Sequence, residues 1–159
     1  MDSAGSAYIE ALKMLARREL SESQVRQRLV RKGHDADAIE NAIAQLREEH
    51  AIDDARVAEA IARKETSVKR HGKLRVRLQL ERAGIGSAIA KRAVDDAFDA
   101  MDHDALIEAS LKKRLRGRPT IADDREFERL YRYLAAQGFE DDRIMKALTA
   151  RRRGSADDT

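Results

Sequence analysis

A chain of 159 residues has room for one ordinary domain or a few small helical units. Lys and Arg number 32 against 29 Asp and Glu, a net charge of +3 on a chain that is 38 % charged, with one Pro, eight Gly and 4 % aromatic residues; this balance favours helix over sheet and leaves any core to Leu, Ile, Val and Ala. Without Cys there are no disulfides and no thiol chemistry, no apolar run approaches the ~20 residues of a membrane span, and the opening Met-Asp-Ser-Ala-Gly-Ser has no secretory character, so a soluble cytoplasmic protein away from membranes is expected.

The first predicted helix covers roughly 6–19, with Tyr8, Leu12 and Leu15 on one face. Ser21 and Gln24 have the spacing of a capping box, and the helix they open carries Val25 and Leu29 four residues apart. Gly33 is placed to take the left-handed conformation that closes a helix end, and Asp37 to cap the next helix, on which Ile39 lies. A second long helix is predicted over 53–70, opened by Asp53 and Asp54. Then comes "GKLRVRLQLERAGI", residues 72–85, whose Leu74, Val76, Leu78 and Leu80 alternate with polar residues as in a half-buried strand. Further on, Ser87 is placed as a cap and Ile89 follows; a helix is predicted over 103–116; and "LYRYLAAQGFEDDRIMKAL" supplies Leu130, Leu134, Gly138, Ile144 and the capping candidates Asp141 and Asp142. Asp123–Asp124 likewise reads as a helix start.

Three of these segments share one pattern. Val25–Leu29–Gly33–Ile39 is repeated as Val76–Leu80–Gly84–Ile89 and as Leu130–Leu134–Gly138–Ile144, at near-constant intervals. Each is preceded by another helical segment, so the chain reads as three units of three helices, at 1–51, 52–101 and 102–153, with a disordered tail at 154–159. The alignment makes residues 72–85 a helix, with Val76 and Leu80 on its inner face. Leu74 and Leu78 then form a second apolar face, where the other units have Ser23 and Gln27 or Glu128 and Arg132; a neighbouring unit is expected to cover it.

In this order and spacing the motifs resemble those of the RecX family, bacterial regulators of the RecA recombinase. The resemblance rests on "ALKMLARRELS" from Ala11 to Ser21; on Leu29, Lys32 and Gly33; on Asp53 and Asp54; on Gly72, Arg75, Val76, Leu80, Gly84 and Ile85; and on Leu134, Gly138 and Phe139. It covers roughly residues 8 to 150. Departures are Val57, where the family often has Phe, Lys73, where Pro is frequent, and Leu74 and Leu78, where polar residues are usual. The resemblance implies an all-α protein of three tandem three-helix repeats forming an elongated, curved body. It also implies a monomer that acts on RecA and its nucleoprotein filament, inhibiting filament growth, ATP hydrolysis and strand exchange, with no cofactor and no reaction of its own.

Charge is segregated along the chain. From Arg63 to Arg82, eight cations face only Glu65 and Glu81, and a second cluster, Lys112, Lys113, Arg114, Arg116 and Arg118, surrounds Gly117 and Pro119. Arg151, Arg152 and Arg153 follow near the end, while acids gather at 35–54 and 95–104. Most surface cations serve solubility, and Arg77–Glu81 has the spacing of a weak helical pair. A basic helix start, however, opposes the helix dipole, a cost that an anionic partner could offset. The candidate contacts for a filament or DNA are therefore Arg63, Lys69, Arg70, Lys73, Arg75, Arg77, Lys112, Lys113, Arg114, Arg116 and Arg118. Phosphate and acidic protein patches both remain open as the partner chemistry.

Other chemistries find no support. Aromatic residues do not interleave with the cations at 63–82, which argues against a base-stacking platform there; Tyr131 and Tyr133 point apart on their helix, one expected in the core and the other exposed or set against a neighbouring unit. His34, His50, His71 and His103 lack ligand spacing, and Asp102-His103-Asp104 diverges on a helix. There is no phosphate-binding Gly-rich loop and no nucleophile elbow. The competing expectations are a free-standing helical DNA-binding module that acts without RecA, and a helical adaptor for another protein.

Overall fold

The computed structural model describes residues 3–152. Among them are nine α-helices: α1 (Ser3–Arg17), α2 (Glu22–Arg31), α3 (Ala36–Glu48), α4 (Asp54–Arg63), α5 (Lys73–Arg82), α6 (Ser87–Asp99), α7 (His103–Arg114), α8 (Asp124–Ala136) and α9 (Asp141–Ala150). A π-helical turn, Lys64–Val68, extends α4. One isolated bridge pairs Ile121 with Arg152, and there is no strand among the described residues. The stretch at 72–85 is therefore helical, as the repeat alignment requires. Arg153 and the tail expected at 154–159 lie outside the described residues.

The nine helices are three repeats of three. The second helix of each repeat closes in the same way. Gly33, Gly84 and Gly138 all have positive φ (87°, 75° and 94°). Each donates its N–H to the carbonyl three residues back, while the next residue donates five back: His34 to Leu29 at 3.2 Å, Ile85 to Leu80 at 3.1 Å and Phe139 to Leu134 at 3.3 Å. This is the Schellman closure, which satisfies carbonyls that a helix end leaves open.

The chain divides into two compact units, one holding the residues up to Ala62 together with Gln79–Ala93, the other Arg63–Leu78 and the residues from Val94 onward. In the first, α1, α2 and α3 enclose Ala7, Ala11, Val25, Leu29, Ile39, Ile43 and Leu46. Ser21 forms the expected capping box with Gln24, and its Oγ also donates to the Ala83 carbonyl at 2.5 Å. In the second unit, α7, α8 and α9 enclose Ile107, Leu111, Leu115, Leu130, Leu134, Phe139, Ile144 and Leu148. Val76 and Leu80 of α5 are fully buried, as their inner-face positions predict.

Several local expectations change. Asp35, with extended backbone, caps α3 through the Ala38 N–H at 2.8 Å; Asp37 lies inside the first turn. Glu140 occupies the cap position of α9 without a side-chain bond, and Asp141 instead accepts from the Tyr131 hydroxyl. Tyr131 and Tyr133 are both half-buried, neither fully core nor fully exposed. Leu74 and Leu78 remain 49 % and 38 % exposed, so the second apolar face of α5 is only partly covered.

Candidate functional site

The start of α5 is built against the end of α8. The Gly72 N–H donates to the Gln137 carbonyl at 2.8 Å and the Leu74 N–H to the Gly138 carbonyl at 3.0 Å. A Cβ on residue 72 would lie 2.5 Å from the Gly138 oxygen, so only glycine permits this approach. Donors left over at one helix start thus meet acceptors left over at another helix end. Arg75 adds a bond from Nη1 to the Ala136 carbonyl at 3.0 Å, while its Nε is buried without a hydrogen-bond partner. The negative end of the α8 dipole therefore faces the basic start of α5. The unfavourable charge placement anticipated from the sequence is offset inside the protein.

The second cluster reaches the same helix end. Lys112, Lys113 and Arg114 fill the last turn of α7, where cations complement the dipole. The Arg114 guanidinium lies 3.6 Å from the Tyr133 ring centroid. Tyr133 is three residues before Ala136, about one turn along α8. One residue from each of two clusters distant in sequence therefore contacts the last turn of α8, Arg75 at the Ala136 carbonyl and Arg114 at the Tyr133 ring. Sequence reasoning missed Tyr133 as the partner of Arg114, because no local spacing links the two.

The individual cations divide by what holds them. Arg118 pairs with the buried Glu126, which also accepts from the Ala122 N–H at 2.7 Å; Arg118 and then this amide hold the Glu126 carboxyl below its ordinary value. Arg118 is thereby tied to the inside of its repeat. Lys69 binds the buried Glu65 at 2.9 Å, and His71 Nδ1 lies 2.5 Å from its other oxygen. Burial works against charge on Glu65, yet these two partners keep its carboxyl below the usual range. Lys73 approaches Asp95 at 3.9 Å, and Arg63, though exposed, is also engaged within the chain.

Arg70, Arg77, Lys112, Lys113 and Arg116 are exposed, and none has an ion-pair partner among the described residues; the Arg77–Glu81 pair suggested by spacing is not formed. Arg70 and Arg116 also stand at φ of 55° and 53°, a region costly for a side chain with a Cβ. Among the described residues no three His, Asp or Glu side chains gather as a metal site. No described helix is long and apolar enough to cross a membrane.

Residues 7–46 match the family model described as the first three-helix domain of RecX. The regulatory protein RecX of Syntrophotalea carbinolica is 33 % identical over 134 residues, spanning 84 % of this chain and 88 % of that protein. The one from Acidithiobacillus ferrooxidans is 36 % identical over 143 residues, with 89 % and 88 % covered. The crystal structure of RecX from Lactobacillus salivarius shares the fold, with a TM-score of 0.76 over 93 % of this chain and 96 % of that one at 22 % identity.

Proposed function

Because this chain belongs to the RecX family, we propose that it is a regulator of the RecA recombinase that binds the RecA–DNA filament and limits its growth, ATP hydrolysis and strand exchange. The observation that carries this is similarity to a regulatory protein RecX along 84 % of the chain. The exposed cations of the two basic clusters support it physically, since the DNA of a filament presents phosphates. The three repeats, at 1–51, 52–101 and 102–153, are the units of contact. Linked weak contacts gain affinity through effective concentration, so small amounts of a monomeric protein act on a long filament.

The test is a titration of DNA-dependent ATP hydrolysis by RecA. Substoichiometric protein should suppress turnover, and charge reversal at Arg70, Arg77, Lys112 and Lys113 should weaken the effect without unfolding the chain. Unchanged hydrolysis at excess protein would refute the proposal. Arg75 and Arg118 are poor choices for that variant, since their side chains hold α8 and Glu126.

A second reading is favoured by the position of Arg114 on the half-buried Tyr133 among exposed lysines. That face offers cations beside an aromatic ring and suits direct DNA contact. It predicts affinity for bare DNA that falls steeply with salt; no binding at low salt removes it.

A further inference from the structure

We propose that the outward face at the start of α5, where Leu74 and Leu78 stand with Arg70 and Arg77, is a docking surface for a protein segment carrying aliphatic side chains among carboxylates. This rests on the filament proposal and narrows it, from a basic contact of either chemistry to a protein contact with apolar anchors at its centre.

Leu74 and Leu78 are four residues apart and share a helix face opposite the fully buried Val76 and Leu80. The repeat fold does not require them: the matching positions hold Ser23 and Gln27 in one repeat, Glu128 and Arg132 in the other. The described chain leaves them 49 % and 38 % exposed, and Val68, on the turn leading into α5, is 74 % exposed. Other apolar side chains are exposed elsewhere, Ile9 and Val30 among them, but Leu74 and Leu78 share one helix face within a strongly basic stretch, and that pairing marks an interaction site.

Charge indicates what covers the face. Lys69, Lys73 and Arg75 are occupied by Glu65, Asp95 and the Ala136 carbonyl. Arg70 and Arg77 have no such partner among the described residues, so the cations left available at this face call for carboxylates on the other side. An apolar centre with arginine at its margin is the anatomy of a protein interface. A phosphate backbone would satisfy the arginines but leave the leucines wet, since contacts to phosphate are polar.

The absence of cysteine permits a clean test. Full-length Leu78→Cys, labelled with a photo-crosslinker, is bound to RecA filaments on single-stranded DNA and irradiated; the double variant Leu74→Asp/Leu78→Asp is titrated against RecA ATP hydrolysis. The inference predicts adducts to RecA protein, and a half-inhibitory concentration raised about tenfold or more for the double variant. Both positions are exposed, so far-UV circular dichroism should match the wild type. Adducts to DNA or to a second copy of this chain, or a double variant that inhibits like wild type, would overturn it. If the wild-type chain itself leaves RecA unaffected, the filament proposal fails first and this inference falls with it.

Discussion

At the scale of single residues, the unusual positions are those whose backbone or burial conflicts with their chemistry. Arg70 and Arg116 sit in left-handed backbone where glycine is cheaper, and both are exposed cations of the proposed contact face. Replacing each by Gly should raise stability by about 0.5–1 kcal/mol in denaturant unfolding while weakening the effect on RecA. His50, also left-handed at φ 55° but outside the clusters, is the control: His50→Gly should stabilise without functional loss. Glu126 is buried yet ionised, with Arg118 and the Ala122 amide holding its proton affinity down. A carboxyl depressed by folding contributes stability that is complete above its unfolded value of about 4.3 and is lost as pH falls through the folded value. Glu65 acts in the same direction. Urea midpoints should therefore hold near neutrality and fall once pH drops below about 5, and Glu126→Gln should flatten that fall while lowering stability at pH 7.

At the scale of helices, one joint is made twice. In one unit, the α2 start meets the Gly84 closure: Ser21 Oγ bonds the Ala83 carbonyl, and a Cβ on Gly84 would lie 2.5 Å from the Ser23 side chain. In the other, the α5 start meets the Gly138 closure, where a Cβ would strike the Arg75 backbone. Nothing lies within 4 Å of a Cβ built on Gly33. Gly33→Ala should therefore cost only its left-handed strain, about 1 kcal/mol, whereas Gly138→Ala should cost at least about 2 kcal/mol because backbone must move as well. Thermal unfolding of the two variants separates these. The closures were legible in the sequence, because an apolar i, i+4 pair followed by glycine is a local signal. Their partners were not: nothing between Gly72 and Gln137 in the chain announces that they touch. The cap of α3 was misassigned because Asp35 and Asp37 are both plausible by type, and only the extended backbone of Asp35 decides. Leu74 and Leu78 were expected to be covered, since alternation shows which faces are apolar but not whether anything packs on them.

At the scale of the whole molecule, this is a helical protein with a net charge of only +3 although 38 % of its residues are charged. The family was legible because several weak motifs occur in order over most of the chain, and relatives 33 % and 36 % identical over 84 % and 89 % of it bear the family name. The proposed contact face was legible only as a set of cations; folding gives Arg63, Lys69, Lys73, Arg75, Arg114 and Arg118 intramolecular partners, so the proposal rests on a smaller set. The proposed function requires this protein to engage RecA filaments and not DNA alone. Co-sedimentation at physiological salt, with RecA filaments on single-stranded DNA and with the same DNA bare, tests it most directly. The protein should pellet with the filaments and stay in solution with bare DNA. Equal pelleting with both, or none with filaments, would contradict the account.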